Sequence, residues 1–362
     1  MAGEIPEIPG RLVPADVAYN LRRLVGEITG TNRTTFPGAQ PVSFTASESI
    51  SQLLAHNYLV CEKSDGVRVL VLMLATDKGP QTFFITRKNE YFFAPNLAFP
   101  TPGDSSRFHH NTLIDAELVI DVMPDGSRVR KLLAFDALVV FGANCMQRDL
   151  EKRLGFLRDH IVGPFRAARR HDSPEAARLV PVVAEVKLFE RSYGVQKVYD
   201  QIIPRLYHKS DGLIFTAVKA PYMPGTCNTI VKWKPAGENS IDFKIRVTRN
   251  SSNAPELQLH QWLGGDNYEL FGIMAVRPDD WATHFADLAR LDGRIAETIY
   301  DPEYSPPAVW RFLRFRDDKP HGNHASVIQR IIASIGDTMD LDELVNVMVQ
   351  VRDNWKCRNP GS

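Results

Sequence analysis

The chain has 362 residues, of which 44% are hydrophobic and 24% charged, which is typical of a globular protein with two or three domains. Lys and Arg (43) equal Asp and Glu (43) in number, so any contact with nucleic acid must rest on a local cluster of cations. The four cysteines are scattered, which predicts neither a disulfide framework nor a zinc site. The N-terminus does not resemble a signal peptide, and no apolar run is long enough to span a membrane. We therefore expect an intracellular protein.

The first part of the chain predicts two helices followed by strands. Apolar residues recur at helical spacing over residues 16–30, where a glycine ends the pattern. Thr45 and Glu48 form a capping box for a second helix that ends near residue 56. We expect a loop over residues 31–41, strands over 58–62, 68–75, 82–87, 112–122 and 131–141, and a turn over 123–127 that joins the last two strands.

The rest of the chain changes character at about residue 241. Before it lie helical patterns at residues 147–169 and 194–207 and strands at 213–217 and 229–233. Residues 241–315 offer short strands with one helix near 278–291, which suits a small β-barrel, and helices follow at 325–335 and 341–351. The expected domains are therefore residues 1–240, residues 241–322, and a C-terminal helical segment, 323–362, that packs back on the first domain.

Lys63 is the most informative residue of the sequence. It lies between an apolar run that begins at Tyr58 and a second that begins at Val69. Burying an ammonium is costly unless it is paired or neutralised, and an amine that loses its proton becomes a nucleophile. Taken alone, the pattern also fits a surface hairpin with a salt-bridged lysine.

The pattern Lys-x-Asp-Gly-x-Arg at residues 63–68 resembles the first motif of the covalent nucleotidyltransferases, which include mRNA capping guanylyltransferases and ATP-dependent DNA and RNA ligases. In that superfamily the motif lysine attacks the α-phosphate of a nucleotide and carries the nucleotide as a phosphoramide. The resemblance therefore implies that Lys63 is the catalytic nucleophile and that Arg68 is one of the cations at the nucleotide.

Two strands carry the next motifs in the family's order. Leu-Ile-Asp-Ala-Glu at residues 113–117 resembles a motif that is usually Asp-Gly-Glu, and it implies that Glu117 lies near the ribose or a divalent metal. Arg87 matches an arginine that approaches the ribose hydroxyls. Phe135 matches an aromatic residue that stacks on the purine, although a lone Phe in a strand is more often part of the core.

The run Ser-Asp-Gly-Leu-Ile-Phe at residues 210–215 resembles the fourth motif. It implies that Asp211 binds a metal or its waters, since hard oxygen ligands suit Mg²⁺, and that Ile214 forms the second wall of the base pocket. In the fifth motif Lys232 and Lys234 alternate along a strand, so both ammoniums face one side and can stabilise the charge of a triphosphate.

The sixth motif separates capping enzymes from ligases. Arg316, Asp318 and Lys319 resemble the Arg-x-Asp-Lys signature that capping enzymes carry on their OB-fold domain, where it reaches the β- and γ-phosphates when the cleft closes. The run Phe-Pro-Gly-Ala-Gln-Pro-Val-Ser-Phe at residues 36–44 also resembles the fungal-type guanylyltransferases. Because six motifs follow in order, the chain is identified as a member of the mRNA capping guanylyltransferases.

This resemblance implies an α+β fold, with a nucleotidyltransferase domain of ATP-grasp-like antiparallel sheets with helices and a C-terminal OB-fold β-barrel lid. It implies transfer of GMP from GTP, through a lysyl-GMP intermediate, to the 5′-diphosphate end of nascent mRNA, with Mg²⁺ or Mn²⁺ and in the nucleus. It also implies two partners, a phosphorylated RNA polymerase II C-terminal tail and a separate RNA triphosphatase subunit, since the sequence has no His-Cys-x5-Arg phosphatase loop.

Two alternatives remain open at this point. The first is an ATP-dependent polynucleotide ligase, which the balanced charge and the sixth motif oppose. The second is a catalytically inactive binding module on the same fold, which the joint presence of Lys63, Glu117, Asp211, Lys232 and Lys234 opposes.

Overall fold

The computed structural model describes residues 6–285, 287–306, 308–337 and 339–360, without the side chain of residue 334. The strands are β1 Arg11–Leu12, β2 Ala39–Ser43, β3 Tyr58–Ser64, β4 Val67–Thr76, β5 Gly79–Thr86, β6 Tyr91–Ala94, β7 Pro100–Thr101, β8 Asp104–Phe108, β9 Thr112–Val122, β10 Arg128–Val140, β11 Ala143–Asn144, β12 Val183–Val186, β13 Glu190–Arg191, β14 Ser210–Ala217, β15 Gly225–Trp233, β16 Ser240–Arg249, β17 Pro255–Gly264, β18 Asn267–Ala275, β19 Ile295–Tyr300 and β20 Trp310–Phe315.

The α-helices are α1 Ala15–Ile28, α2 Ala46–Ala55, α3 Leu150–Phe156, α4 Gly163–Ala168, α5 Pro174–Leu179, α6 Val195–Lys197, α7 Pro278–His284, α8 Ala325–Gly336 and α9 Leu341–Arg358. Leu157–Val162 and Val198–Ile202 wind as π-helix, and Ser192–Gly194, Ile203–Arg205, Ala236–Glu238 and Leu288–Arg290 as 3₁₀-helix. No helix among the described residues is long and apolar enough to cross a membrane.

The chain divides into two compact units. The larger contains residues 49–233 with the described parts of 3–43 and 345–362, and the smaller contains residues 44–48 and the described parts of 234–344. In the larger unit, one sheet has the order β1-β6-β5-β4-β9-β10-β11, with β12 parallel to β10, and a second sheet has the order β13-β3-β14-β15-β2. The strand β4 is buried over most of its length because both of its faces are covered, which explains its continuous apolar sequence.

The hairpin between β3 and β4 links the two sheets of the larger unit. β3 pairs with β14 in the second sheet, whereas β4 pairs with β5 and β9 in the first. At the link, a Cβ atom on Gly66 would lie 2.2 Å from the carbonyl oxygen of Leu118, so only glycine lets the chain pass so close to β9. The motif at residues 63–68 thus begins in one sheet and ends in the other.

The smaller unit is a closed barrel in which neighbouring strands follow the order β16-β17-β18-β20-β19. In the chain, α7 lies between β18 and β19. The last barrel strand, β20, is parallel to β18 and antiparallel to β19, and β19 returns to pair with β16. A small Greek-key barrel of this kind is an OB-fold. The predicted α+β class with a C-terminal barrel is confirmed. Of the C-terminal helices, α8 contributes Ile328 to the barrel core and α9 contributes Trp355 to the core of the larger unit.

The sequence did not predict several elements. β6, β7, β8 and β12 are short, and β2 begins inside the segment expected to be a loop. β12 is held by parallel pairing of Val183–Val186 with Lys131–Ala134, residues about fifty positions earlier, and such distant pairing leaves no local periodicity to detect.

We expect Gly66→Ala to lower the stability of the larger unit by about 1–3 kcal/mol, because the added methyl group overlaps a backbone oxygen that cannot move without disturbing β9. Gly155→Ala in α3 is the matched control, since a Cβ there meets nothing closer than a side-chain oxygen at 4.0 Å and alanine favours the helix. Urea unfolding of both variants measures the effect, and equal stabilities would contradict the explanation.

Candidate functional site

Lys63 lies near the end of β3 with its ammonium 2.6 Å from the Asp211 carboxylate on β14. The lysine and aspartate side chains are 23% and 16% exposed, so the pair is largely shielded from water but still reachable by a ligand. β14 also places Ile214 opposite Cys61 and Lys232, and directly opposed residues in a sheet share one face. Because Cys61 and Lys63 alternate on β3, the structure brings Lys63, Ile214 and Lys232 to the same face of the second sheet.

A chain of buried charges lies beside Lys63, on residues that the sequence did not predict. Glu62 accepts a hydrogen bond from Ser64 and pairs with Lys187 Nζ at 3.2 Å. Its oxygen Oε1 also lies 3.6 Å from His208 Nε2, while His208 Nδ1 lies 2.7 Å from Asp121. Burial alone would raise the pKa of Glu62, but Lys187 and His208 lower it to about 2. Glu62 is therefore an ionised carboxylate that holds a buried lysine.

Arg68 forms a buried ion pair in the larger unit. Its Nε and Nη2 atoms bind the two oxygens of Asp115 at 2.9 and 2.6 Å, and both side chains are buried. Its Nη1 donates to the carbonyl of Ala39, whose own N–H donates to the hydroxyl of Tyr222 at 2.9 Å. The Tyr222 hydroxyl in turn donates to Asp115. The guanidinium thus fastens β2 to β4 and β9.

Glu117 lies directly opposite Arg68 on β9. Burial raises the pKa of Glu117 to about 7, although Lys187, Lys63, Arg68 and Arg87 all act to lower it. Those four cations therefore surround one carboxylate. Arg87 follows β5 with an exposed side chain that makes no hydrogen bond or ion pair to the described residues. Arg87 thus presents an exposed guanidinium to which an anionic ligand can bind.

Phe135 is aimed by an irregularity in β10. Ala134 pairs with Ala116 and Asp136 with Asp115, so Phe135 is the extra residue of a β-bulge. Its ring centroid lies 5.6 Å from the Arg68 guanidinium and 6.0 Å from Lys187 Nζ. A bulge next to a cluster of charges is a common device for turning a side chain into a site, and this one leaves an aromatic ring beside the cations.

The barrel carries its own cluster of charges. Arg316 binds Asp318 at 2.9 Å through two atoms and lies 3.3 Å from Asp242, and Lys319 also contacts Asp242. The hydrogen bonds that Arg316 donates to Asp318 raise the pKa of Arg316 and lower the pKa of Asp318 to about 2. Asp242 is only 4% exposed, so it is a buried anchor for the two cations. Lys234 belongs to this unit and directly follows the end of β15.

The predicted site residues thus fall into two groups. The larger unit contains Lys63, Arg68, Arg87, Glu117, Phe135, Asp211, Ile214 and Lys232, and the smaller unit contains Lys234. Arg316, Asp318 and Lys319 form a cluster on the barrel. Sequence reasoning missed Lys187, His208 and Asp242. Lys187 directly follows β12. A lysine next to a strand is the same sequence signal that identified Lys63, and it could have identified Lys187 as well.

Comparison with known proteins supports one family for the whole chain. The family model described as "mRNA capping enzyme, catalytic domain" matches residues 4–236, and "mRNA capping enzyme, C-terminal domain" matches residues 238–345. The "mRNA-capping enzyme subunit alpha" of Neurospora crassa is 36% identical, over 98% of this chain and 95% of that protein. The protein of the same description from Saccharomyces cerevisiae is 32% identical, over 98% and 87%. Among solved structures, a mycobacterial DNA ligase D complexed with ATP and MES is 15% identical, covers 78% of this chain and 95% of its own, and has a TM-score of 0.44.

The buried histidine predicts a pH dependence of stability. Burial would lower the pKa of His208, but Glu62 and Asp121 raise it above its ordinary value. Protonated His208 therefore stabilises the fold fully below the unfolded pKa of about 6.5, and this contribution is lost as pH rises through the higher folded value. We expect His208→Gln to cost about 1.5–3 kcal/mol at pH 6 and progressively less as the solution becomes alkaline.

Urea unfolding of wild type and variant between pH 5.5 and 9 measures this difference. His171→Gln, at an exposed histidine, is the control and should show a difference that does not depend on pH. A constant difference for His208→Gln would show that the histidine is neutral in the folded protein.

Proposed function

This chain belongs to the mRNA capping enzyme family and is a GTP:RNA guanylyltransferase, and we propose that Lys63 is the residue to which GMP becomes covalently attached. The observation that carries the proposal is the position of the Lys63 ammonium, 2.6 Å from Asp211, in the unit where the Phe135 ring lies beside Arg68 and Lys187. A nucleotide needs these elements together: a nucleophile, cations for its phosphates and an aromatic surface for its base.

In the first step the Lys63 amine attacks the α-phosphorus of GTP. A P–N bond forms, the bond to the bridging oxygen breaks, and pyrophosphate leaves. Asp211 orients the amine and is an acceptor at hydrogen-bond distance for the proton that the ammonium must lose. The base stacks on the Phe135 ring with Ile214 on its other side, and Glu117 and Arg87 approach the ribose. Lys232 and Lys234 bind phosphate oxygens and stabilise the charge that moves toward the leaving group.

Lys187 places a buried cation 6.0 Å from the centre of the Phe135 ring, next to where the edge of the stacked base would lie. An ammonium donates hydrogen bonds only, so it suits the carbonyl oxygen of guanine and opposes the amino group that adenine has at the same position. Lys187 is therefore proposed to favour GTP over ATP.

The carboxylates of the site fit a divalent metal of the Mg²⁺ or Mn²⁺ type. Asp211 and Glu117 offer hard oxygen ligands, and the described residues contain no group of three or more His, Cys, Asp or Glu side chains suited to a metal. A metal held by one or two carboxylates takes its remaining ligands from water and phosphate, which is the usual arrangement for Mg²⁺. When bound, it would neutralise phosphate charge.

In the second step the terminal phosphate oxygen of a 5′-diphosphate RNA attacks the phosphorus of lysyl-GMP. The P–N bond breaks, Lys63 takes up a proton, and the 5′-5′ triphosphate cap is formed. The relatives' description as "subunit alpha" supports assembly with a second subunit, which we propose to be an RNA triphosphatase. We further propose that the protein acts in the nucleus on transcripts of an RNA polymerase II whose phosphorylated C-terminal tail it binds.

The barrel is proposed to supply the remaining cations in the first step only. Arg316 and Lys319 are already held side by side by Asp242, and Asp318 orients the guanidinium. When the barrel closes on bound GTP, these cations contact the β- and γ-phosphates and orient the pyrophosphate as it leaves. Since pyrophosphate is absent from the second step, they are not needed there.

Lys63→Arg should abolish covalent labelling by α-labelled GTP with Mg²⁺, because arginine keeps the charge but stays protonated and cannot attack phosphorus. Lys152→Arg, at an exposed lysine on α3, should be labelled like wild type. Wild-type label should pass to diphosphate-ended RNA and not to nicked DNA. Labelling of the Lys63 variant, or joining of DNA with ATP, would refute the proposal.

Arg316→Ala and Lys319→Ala should each slow formation of enzyme-GMP by about ten- to a hundredfold, because each removes a charge-assisted contact to the leaving group. Transfer from pre-formed enzyme-GMP to RNA should stay near the wild-type rate. Arg290→Ala, at an exposed arginine of the same unit, is the control. Single-turnover kinetics of each half-reaction provides the measurement, and a defect confined to the second step would contradict the assignment.

A further inference from the structure

The segment at residues 31–38 is built into the larger unit and takes no part in the steps above. It lies between α1 and β2 and begins the Phe-Pro-Gly run at residue 36. Asn32 N–H donates to the carbonyl of Gly26 at 3.0 Å, and the Asn89 side chain donates to the carbonyl of Thr34 at 2.7 Å. Gly225 N–H donates to the carbonyl of Gly38 at 3.2 Å. The backbone of this segment, called here the Phe36 loop, is therefore fixed at both ends and in the middle.

The Phe36 ring connects this loop to the nucleotide pocket. It lies against Gly38, where a Cβ atom would come within 2.1 Å of the ring, and its centroid is 6.0 Å from the Arg68 guanidinium. The same guanidinium lies 5.6 Å from the ring of Phe135. The two aromatic rings thus flank one arginine, which Asp115 holds in place.

A cavity of about 320 Å³ opens on the outer part of the Phe36 loop. Thr31, Arg33 and Thr35 supply its polar lining, and Phe36, Pro37 and Pro224 supply its apolar surface. Its lining contains a cation and no carboxylate. The exposed Arg33 side chain makes no hydrogen bond, ion pair or ring contact with any described residue, and the same is true of the Thr35 hydroxyl. A rigid loop thus presents a guanidinium and a hydroxyl without partners beside an apolar surface.

We propose that this cavity binds the 5′-terminal nucleotide of the acceptor RNA, with Arg33 on a backbone phosphate and the base against Phe36, Pro37 and Pro224. The inference rests on the proposed function, because transfer to RNA requires two nucleotides side by side, and Phe135 accounts for the first only. Phe36 lines the cavity, and its ring also lies near Arg68, which lies beside Phe135. Arginine binds phosphate in a bidentate manner, and proteins commonly hold single-stranded RNA by stacking its unpaired bases on flat side chains. The volume suits one nucleotide rather than a longer segment.

The test measures each half-reaction separately in the Arg33→Ala variant. Enzyme-GMP formation from GTP, and its reversal by inorganic pyrophosphate, should be unchanged, because neither involves the acceptor. Transfer from pre-formed enzyme-GMP to diphosphate-ended RNA should show a KM for RNA raised by about tenfold, and the salt dependence of that KM should be shallower by about 0.7 in the log–log slope. Arg33→Lys should recover part of the loss. Arg23→Ala, at an exposed arginine on α1, should behave like wild type in all assays.

Two results would overturn the subsite. An unchanged KM for RNA in Arg33→Ala would show that the guanidinium does not contact the acceptor. An equal loss in both half-reactions would place Arg33 at the GTP phosphates instead. If wild-type protein forms no covalent GMP adduct at all, the proposed function itself fails. If wild type is active in both steps and Arg33→Ala has the same KM for RNA, the subsite alone fails.

Discussion

The buried ion pair of Arg68 and Asp115 is the interaction on which the site depends. An unpaired charge at either position would be strongly destabilising, whereas the bidentate pair satisfies both partners. Through Ala39 and Tyr222 the pair also fixes the start of β2, so one guanidinium joins strands of both sheets. Because Phe36 and Phe135 both lie against it, the pair sets the positions of two aromatic surfaces as well. Arg68 thus positions the two rings while its own charge is satisfied by Asp115.

Two carboxylates of the larger unit, Glu62 and Glu117, differ in how their charge is balanced. Glu62 neutralises Lys187 from within the protein, and its low pKa shows that this carboxylate stays ionised. Glu117 is different, since burial raises its pKa despite four nearby cations and no hydrogen bond satisfies it among the described residues. This carboxylate without a partner is consistent with the proposed contact of Glu117 with the ribose or a metal ion.

The sequence was sufficient for the features that are local in the chain. Alternating and continuous apolar runs predicted β3, β4 and β9 to within two residues. They also predicted β10, β14 and β15, which begin three or four residues earlier than expected. The sequence could not show the bulge that aims Phe135, because a bulge depends on the register between β9 and β10. It also missed Lys187 and His208, whose positions follow from β12 packing beside β10 and from the network of Glu62 and Asp121. These residues are brought to the site by contacts between distant segments, and one sequence carries no record of such contacts.

Asp242 bears on how the barrel takes part in the reaction. Arg316 and Lys319 share this buried carboxylate, so neither cation is loose in solvent before GTP arrives. In the proposed first step, their transfer to phosphate would replace one charge-assisted contact by another. The net gain in free energy would then be smaller than for free side chains, although the entropy of ordering these side chains has already been lost. Such an arrangement favours orientation over tight binding. It suits the proposed role of these residues, which is to orient pyrophosphate as it leaves and then to release it.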